Sequence, residues 1–574
     1  MTRLARPLDR LKPHYDVVIV GSGYGGGVTA SRLARAGKRV AVLERGREFL
    51  TGEFPSRFPE MRRELQLSGK RLRLGSTVAL YDVRLGEDMN ILVGCGLGGG
   101  SLINAGVALR PEPRVLMDRL WPDELREDGL LDEGYRRALR WVRPARDPLA
   151  GEHSKFKALR LASAALGHAP VEAPVVVGFE DTVNPAGLAQ PACTRCGDCC
   201  GGCNVGAKNT VAVTYLPDAA RHGAEIFTHA LVRRVAKRRE GGWAVHFCRQ
   251  GAGTGEAVGE GSVAADTLIL AAGTLGSTEI LLRSRDHGLA LSDRLGQGFS
   301  ANGDLIAFGY GATLAVNAIG VGHPPKLAGL RVGACVSGQI EITDADDVAN
   351  SLTIQEGVMP SALAPILPVL FVPNGRLIGA LQSLLAGVYR GPLAGLQTFF
   401  AVSHDSAAGR LVLDGDRIVL TWPGAKDEPV YARLDRALAA LAGQVGASYV
   451  KNPLAGTMLG SQPATAHPLG GCAMGRDRGD GVVNHKCQVF AATPAAGSDR
   501  VHDGLYVIDG SIMPRSLGVN PLLTISALAE RAMLHLARDR ALAFDDAPRR
   551  YPVPISPAAP GAACRTTRDR KESR

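Results

Sequence analysis

The first pattern with a chemical meaning is a run of glycines directly after a short apolar segment. Gly21, Gly23 and Gly26 follow DVVIV (residues 16–20), and the next apolar segment ends at Glu44. This is the G-x-G-x-x-G fingerprint of a dinucleotide-binding strand, turn and helix, in which the backbone approaches a pyrophosphate and the acid binds a ribose. The alternative is a glycine-rich turn without a ligand. The spacing alone does not separate FAD from NAD.

A second pattern is a cluster of cysteines. Cys193, Cys196, Cys199 and Cys203 have the C-x₂-C-x₂-C-x₃-C spacing of bacterial ferredoxins, with Asn204 where a proline is usual. Thiolates at such spacing are good ligands for soft metals. Three interpretations stay open: an iron-sulfur cluster that relays electrons, a structural zinc or cluster, and four unligated thiols in a tight loop.

The elements that must position these residues follow from the apolar pattern. Residues 225–228 and 267–270 are typical of buried strands, and the latter run into AAGTLGSTEILLRS, another strand, glycine turn and helix. A glycine-dense loop, LVGCGLGGGSLINAGV (92–107), is suited to lie against something broad and planar, the alternative being a flexible loop. Between residues 313 and 440, segments such as LTIQEGV and GRLVLDGDRIVLTW predict antiparallel strands and a second domain.

Residues 358–400 are apolar and interrupted by prolines. No stretch reaches the roughly 18 uninterrupted apolar residues of a membrane-spanning helix. A buried helix pair and an apolar lid or membrane-touching segment are equally good interpretations.

Composition limits the class of protein. The 574 residues are 45% hydrophobic and 21% charged, with a formal net charge of +10, which excludes a disordered chain and a polytopic membrane protein. Lysine and arginine do not cluster with aromatics, so no nucleic-acid partner is expected, although an anionic membrane surface would attract the chain. No apolar h-region precedes residue 15, which predicts a cytoplasmic protein without a signal peptide that is free to associate with membranes.

Motifs along most of the chain resemble one family. HPLGGCAMG begins at His467, and LYVIDGSIMPRSLGVNPLLTISALAERAM begins at Leu505. Together with VIVGSGYGG, VGCGLGGGSLINAGVALRP and LGQGFSANGD, these blocks resemble the glucose-methanol-choline (GMC) flavoprotein oxidoreductases, and within them the cholesterol oxidases. Sugar and choline oxidases generally carry a second histidine where this chain has Asn520.

The resemblance implies a fold of class α/β plus α+β, with a Rossmann-like FAD-binding domain and an antiparallel-sheet substrate-binding domain. The FAD-binding domain would be discontinuous (10–50, 88–112, 204–312 and 455–545). The substrate-binding domain would comprise 51–87, 113–203 and 313–454, with the Cys-rich loop at 193–203, and residues 547–574 would form a flexible tail.

The resemblance also implies the contacts of FAD. Its pyrophosphate would lie on Gly21, Gly23 and Gly26 and its ribose on Glu44, with the adenine against the backbone of Val232. The remaining flavin contacts would come from Gly98, Gly99, Ser101, Asn104, Asp509, Gly510, Asn520 and Pro521.

Two residues of the C-terminal blocks suit the oxidation of an alcohol. A neutral imidazole at His467 would take the hydroxyl proton, and the amide of Asn520 would donate to the alcohol oxygen. The alternatives are a packed or surface histidine and a turn or capping amide. Cholesterol oxidases also use a glutamate to move a proton as the ring double bond migrates from Δ5 to Δ4, and Glu356 is the nearest candidate. The alternative for Glu356 is a salt-bridged or surface carboxylate.

The sequence therefore predicts an FAD-dependent oxidoreductase of a hydrophobic secondary alcohol, such as a 3β-hydroxysteroid, that passes electrons to O₂. A dehydrogenase that uses an iron-sulfur cluster to reach a quinone or protein acceptor is the nearest alternative, and a long-chain or terpenoid alcohol is another substrate class. An alternative of another class is a noncatalytic flavin- or sterol-binding protein.

Overall fold

A nine-stranded sheet carries the glycine fingerprint in the computed structural model, which describes residues 2–70, 72–371, 377–452, 462–492 and 499–552. Its main path has the order β1-β11-β3-β2-β14-β13-β12, with β24 beside β14 and β23 beside β24. The strands are β1 (Ala5–Arg6), β2 (His14–Val20), β3 (Val40–Leu43), β11 (Glu225–Phe227), β12 (Ala230–Lys237), β13 (Trp243–Gln250), β14 (Ala257–Leu270), β23 (Gln488–Phe490) and β24 (Val501–Val507).

Strand β14 belongs to both halves of this sheet. Its first part pairs antiparallel with β13, and its last part pairs parallel with β2 and β24. The predicted strands at 16–20, 225–228 and 267–270 all lie in the parallel half. Strand β2 is buried over its last four residues because helices cover both faces of a parallel sheet.

Helices surround the sheet and the domain beside it. They are α1 (Tyr24–Arg35), α2 (Phe58–Arg63), α3 (Pro113–Leu116), α4 (Glu124–Glu127), α5 (Leu130–Val142), α6 (Ser154–Ala162), α7 (Tyr215–Arg221), α8 (Gly273–Asp286), α9 (Leu367–Leu370), α10 (Leu377–Ala386), α11 (Pro429–Gln444) and α12 (Leu522–Asp539). Helix α1 packs against α7 and α12. A fully buried ion pair between Arg32 and Glu530 joins α1 to α12.

The second domain has the antiparallel sheet that the alternating segments predicted. Its order is β21-β15-β18-β17-β16-β8, and the pairs are antiparallel. The strands are β8 (Val171–Glu172), β15 (Leu305–Tyr310), β16 (Gly338–Ile342), β17 (Leu352–Gly357), β18 (Gln397–Val402) and β21 (Ser448–Val450). The predicted FAD-binding segment 204–312 therefore extends one strand too far, because β15 pairs with β18 and β21.

Two hairpins and a smaller sheet complete the described strands. The five-stranded sheet has the order β22-β7-β6-β4-β5, and the segment GRLVLDGDRIVLTW forms a separate hairpin that turns at Gly415. The strands are β4 (Leu65–Ser68), β5 (Arg73–Leu74), β6 (Tyr81–Arg84), β7 (Asn90–Gly94), β9 (Thr182–Val183), β10 (Ala189–Gln190), β19 (Arg410–Asp414), β20 (Arg417–Thr421) and β22 (Ala464–Thr465).

The apolar segment 358–400 is neither wholly buried nor wholly exposed. Leu367, Phe371 and Leu393 are buried, whereas Leu385 on α10 is 90% exposed. Among the described residues, no helix combines the length and the apolarity needed to cross a bilayer. Most of the predicted flexible tail, residues 553–574, lies outside the described residues. Within the described start of that tail, the N–H of Arg549 donates to the carbonyl of Pro185 at 2.8 Å.

Candidate active site

Each of the three fingerprint glycines is required for a different structural reason. A Cβ on Gly21, whose φ is +93°, would lie 2.3 Å from the carbonyl oxygen of Ala271, and a Cβ on Gly26 would lie 2.2 Å from that of Gly21. A Cβ on Gly23 would meet no protein atom within 4 Å. Gly21 and Gly26 are thus required by the turn and by close packing. Gly23 leaves open space at the N-terminus of α1, where backbone N–H groups favour a phosphate.

Glu44 directly follows β3, beside this turn. One of its carboxylate oxygens accepts a hydrogen bond from the Ser22 hydroxyl at 2.5 Å, and the other accepts one from the N–H of Gly46 at 2.8 Å. Burial raises the pKa of the Glu44 carboxyl. The position at the carboxyl end of β3 is the one that a ribose-binding acid takes in this motif. Val232 is buried on β12, immediately before a register shift in that strand.

The second glycine loop lies against the first. A Cβ on Gly99 would lie 2.9 Å from the Cα of Gly23, and Gly98 has a φ of +118°. The Ser101 hydroxyl fixes the turn by donating to the carbonyl of Gly98 at 2.6 Å. The amide of Asn104 donates to the Tyr24 hydroxyl at 2.9 Å, while its Oδ1 is buried without a partner among the described residues. A bound ligand with an N–H or O–H group would satisfy that oxygen.

Asp509 joins the C-terminal block to the same place. It follows β24, and its carboxylate accepts hydrogen bonds from the N–H of Gly273 at 2.9 Å and from the Ser277 hydroxyl at 2.5 Å. Burial raises the pKa of the Asp509 carboxyl. Gly510, which follows it, is buried in a short 3₁₀ turn. The two glycine loops and the N-termini of α1 and α8 therefore surround one space.

His467 is held by a carboxylate. Asp304 Oδ2 accepts the backbone N–H of His467 at 3.0 Å, and Asp304 Oδ1 lies 2.7 Å from the ring Nδ1. Because a carboxylate only accepts, Nδ1 carries a proton, so in the neutral form of the ring the lone pair is on Nε2. The imidazole is 22% exposed, so it is a partly open base held in one tautomer.

Asn520 contacts the antiparallel sheet immediately before α12. Its Oδ1 accepts a hydrogen bond from Gln355 Nε2 at 2.7 Å, and its own Nδ2 donates to Gln355 Oε1 at 3.4 Å. The second proton of that NH₂ group stays available for a ligand. Pro521 caps α12 directly after it.

The turn at 300–304 links the two catalytic candidates. Asn302 Nδ2 donates to the carbonyl of Val519 at 2.9 Å, next to Asn520. Two positions later, Asp304 holds His467. One short turn therefore supports residues from two distant parts of the chain.

The structure does not bring Glu356 to Asn520. Adjacent residues of a strand point to opposite faces, and on β17 it is Gln355 that faces Asn520. Glu356 is fully buried and paired with Lys155 Nζ at 2.6 Å, and it also accepts the N–H groups of Ser337 and Gly338. Burial raises the pKa of the Glu356 carboxyl against the opposing charge of Lys155. Its role as a proton shuttle stays a prediction, and this ion pair is the feature against it.

The four spaced cysteines lie in one tight loop. Arg195, Gly197 and Gly202 have φ between +59° and +95°. The Sγ of Cys199 accepts the N–H of Cys335 at 3.4 Å. Burial raises the pKa of the Cys193 thiol to about 12. The iron-sulfur assignment stays a prediction.

No three of these thiols converge on a single point. In the part of the chain that the structure describes, the one group of three potential metal-binding atoms within 4.8 Å of one another is formed by Asp128, His485 and His535. Arg531 donates hydrogen bonds to Asp128 and to the ring of His485 in this group. Its guanidinium therefore already provides the positive charge that a metal ion would bring. A compact single-ion cysteine site is therefore not preformed.

Comparison of the sequence with known families identifies the family of this chain. The N-terminal model of the GMC oxidoreductases matches residues 15–300, and the C-terminal model matches residues 435–529. The chain belongs to the GMC oxidoreductase family. GMC oxidoreductases bind FAD and oxidise alcohols, so the predicted family, fold class and flavin cofactor are confirmed.

Curated GMC relatives cover most of the chain. A cholesterol oxidase of Mycobacterium tuberculosis (strain CDC 1551 / Oshkosh) is 29% identical, over 91% of both chains. A cholesterol oxidase of Acinetobacter baumannii is 26% identical, over 91% of this chain and 94% of its own. A long-chain-alcohol oxidase of Arabidopsis thaliana is 24% identical, over 91% of this chain and 67% of its own.

Solved structures share the GMC fold. Pyridoxine 4-oxidase from Mesorbium loti superposes with a TM-score of 0.56 at 19% identity, over 91% of this chain and 99% of its own. A fungal aryl-alcohol oxidase gives a TM-score of 0.55 at 15% identity, over 92% of this chain and all of its own. At these identities the likeness concerns the fold alone.

The residues present in this GMC chain fit FAD. Gly23, Gly100 and Gly273 leave open space around the converging loops, and the orphaned Oδ1 of Asn104 needs a donor. These observations support the predicted cofactor contacts, which stay a prediction residue by residue.

Sequence reasoning missed three residues that contact the predicted catalytic side chains. Asp304 ends the block LGQGFSANGD, and an acid within a family-like block was the available signal. Gln355 precedes Glu356, and strand alternation would have shown that only one of them can face Asn520. Lys155 gives no local signal, because its partner is far away along the chain.

Proposed function

We propose that this GMC oxidoreductase oxidises a 3β-hydroxysteroid such as cholesterol to the 3-ketosteroid and reduces O₂ to H₂O₂. The observation that carries the proposal is the Asp304–His467 pair on the turn that also supports Asn520. A base of fixed tautomer next to an amide donor is what removal of a hydride and a proton from an alcohol requires.

Each of these residues has one task. FAD, when bound, supplies the acceptor for the hydride and for the electrons that pass to oxygen. The Nε2 of His467 takes the hydroxyl proton, and the Asp304 carboxylate stabilises the resulting imidazolium through Nδ1–H. The free N–H of Asn520 donates to the alcohol oxygen, while Gln355 fixes the orientation of that amide.

The sterol class is supported by the relatives that are cholesterol oxidases. A long-chain alcohol is the second candidate, supported by the Arabidopsis relative. The test uses purified holoenzyme without oxygen and follows bleaching of the flavin absorbance with cholesterol, other 3β-hydroxysterols and long-chain primary alcohols. Bleaching by sterols is expected. Bleaching only by the unbranched alcohols would replace the sterol proposal.

Migration of the double bond from Δ5 to Δ4 is a finer part of this proposal. It rests on Glu356, whose ion pair with Lys155 would have to open before the carboxylate could exchange a proton with a ring carbon. The ultraviolet absorbance of a conjugated enone distinguishes the isomerised product from the unconjugated ketone. Accumulation of the unconjugated ketone would remove isomerisation from the proposal.

One observation favours an electron acceptor other than O₂. The buried ammonium of Lys208 donates to the carbonyl of Asn104 at 2.5 Å and to that of Cys199 at 3.2 Å. The Cys-rich loop therefore lies directly against the predicted flavin loop, which suits a relay of electrons through a cysteine-bound cluster. Stoichiometric iron with dye reduction that exceeds peroxide formation in air would favour the dehydrogenase. Peroxide equal to substrate consumed would favour the oxidase.

Peripheral contact with a membrane is supported by the exposed apolar side chains of α9 and α10. Val369 is 60% exposed, and Leu381, Leu384 and Leu385 are exposed on the following helix. Exposed apolar side chains near a helix end favour insertion into a lipid interface. Sedimentation with phosphatidylcholine–cholesterol vesicles should retain the enzyme, and Leu385→Ser should weaken retention. Equal sedimentation of both proteins would reject this surface.

A further inference from the structure

Two cysteines outside the spaced set lie in contact. The Sγ atoms of Cys200 and Cys335 are 3.4 Å apart, and both thiols are free. A disulfide needs a separation of about 2.05 Å, so the two sulfurs need to close by roughly 1.4 Å to be linked. Neither residue belongs to the C-x₂-C-x₂-C-x₃-C set, so this pair stays available whether or not the other four bind a metal.

The two thiols differ in their access to solvent. Cys335 is fully buried, whereas Cys200 is partly exposed on the 3₁₀ turn Asp198–Gly201. The contact with Cys200 and burial raise the pKa of the Cys335 thiol well above its usual value. Cys200 is therefore the thiol that an oxidant reaches first, with Cys335 placed to resolve the product.

The turn that carries Cys200 is held in place. The Tyr81 hydroxyl donates to the carbonyl of Cys200 at 2.9 Å, and Asp198 accepts the N–H and the hydroxyl of Ser361, both at 2.6 Å. Because this side is anchored, closing the pair would move the segment around Cys335.

That segment leads to the active site. Lys155 Nζ donates to the carbonyl of Cys335 at 3.4 Å and pairs with Glu356 at 2.6 Å. Glu356 precedes the end of β17, and its neighbour Gln355 holds the amide of Asn520. A displacement at Cys335 therefore acts on the strand that orients a predicted catalytic side chain.

We propose that Cys200 and Cys335 form a reversible, peroxide-sensitive dithiol switch that lowers turnover when it is oxidised. The Cys200 thiolate attacks H₂O₂, which breaks the O–O bond and gives a sulfenic acid and, after protonation, one water. The Cys335 thiol then attacks that sulfur, forms the disulfide and releases the second water. The balance is two thiols and one H₂O₂ to one disulfide and two waters. The switch depends on the proposed function in one respect, because the proposed oxidase activity would produce the peroxide.

The test adds H₂O₂ to the holoenzyme in the absence of any alcohol. Free thiols are then alkylated, and peptides are mapped by mass spectrometry without reduction. We expect a Cys200–Cys335 linked peptide that grows with peroxide and disappears with dithiothreitol. It should be absent from Cys200→Ser and Cys335→Ser and unchanged in Cys248→Ser, which removes a partly exposed thiol on β13.

Turnover of the same samples, measured after catalase treatment, gives the functional readout. We expect kcat to fall several-fold in the wild-type chain, to recover with dithiothreitol and to stay constant in Cys200→Ser. Linkage of Cys200 to another cysteine, over-oxidation of Cys200 without linkage, or a linked pair with unchanged kcat would each overturn the switch. Because the peroxide is added, a failure of the chain to make its own peroxide in a separate turnover assay would reject the oxidase proposal alone.

Discussion

Asp304 contacts His467 through both of its carboxylate oxygens. One oxygen accepts a hydrogen bond from the backbone N–H of His467 at 3.0 Å, and the other lies 2.7 Å from the ring Nδ1. The hydrogen bond to the backbone N–H fixes the position of the His467 main chain. The contact with the ring fixes the orientation and the tautomer of the imidazole. The predicted base and the carboxylate that orients it thus form one hydrogen-bonded unit.

Asp304→Asn tests this unit. An amide can present N–H to Nδ1 and stabilise the other tautomer, with the proton on Nε2, so the base is lost although the shape is kept. We expect kcat to fall by about 10²–10⁴-fold with FAD still bound, measured by steady-state turnover and flavin absorbance. Asp435→Asn, at a partly exposed pair with Lys451, is the control and should retain activity. A kcat for Asp304→Asn within twofold of the wild type would contradict the assignment.

His467→Ala and Asn520→Ala test the two catalytic candidates directly. His467→Ala should abolish alcohol-dependent bleaching of bound flavin, because no base remains. Asn520→Ala should lower kcat by about 10²–10³-fold, the usual cost of losing one donor to a reacting oxygen. Normal anaerobic bleaching by His467→Ala would instead favour the noncatalytic flavin- or sterol-binding alternative.

Gln355→Ala tests the orientation of Asn520. The variant removes the 2.7 Å donor to Asn520 Oδ1, which is worth about 1 kcal/mol. We therefore expect kcat to fall by about fivefold with little change in melting temperature. Gln297→Ala, on an exposed turn, serves as the control. An effect on stability alone would make Gln355 a packing residue.

Glu356→Gln tests the buried ion pair and the isomerisation together. Leaving Lys155 charged and unpaired in the interior should lower the free energy of unfolding by about 3–5 kcal/mol. Lys155→Met with Glu356→Gln should recover most of that loss in chemical denaturation. If Glu356 also moves the ring proton, both variants should oxidise sterol without forming the conjugated enone. Equal loss of oxidation and isomerisation would reject that division of labour.

His404 predicts a dependence of stability on pH. Burial lowers its pKa to about 4, while the unfolded chain should titrate near about 6.5. Between these values the unfolded state binds more protons, so the free energy of unfolding falls as pH falls from about 6.5 towards 4. One such group contributes about 2 kcal/mol between pH 7 and 5.

The variant His404→Gln isolates that contribution. It should reduce the difference in unfolding free energy between pH 7 and pH 5, measured by urea denaturation, even if it lowers stability at both. His168→Gln, at an exposed histidine, should leave the difference unchanged. An undiminished difference in His404→Gln would assign the pH dependence to other groups, such as His535, whose pKa burial also lowers to about 4.

Local patterns predicted the parts of the site that local geometry determines. The fingerprint at Gly21 and the strand before it need only neighbouring residues, so their spacing was sufficient. The resemblance points to Glu356, but which of two adjacent side chains faces Asn520 depends on the pairing of β17 within its sheet. Asp304 and His467 are brought together by the tertiary fold, and no periodicity in either segment contains that contact.

The turn at 300–304 also leads the chain into the six-stranded sheet, because β15 begins at Leu305. Asp304, which contacts the predicted base His467, and Asn302, which binds the loop before Asn520, both belong to this turn. The first strand of the antiparallel sheet and the two predicted catalytic side chains thus depend on the same five residues.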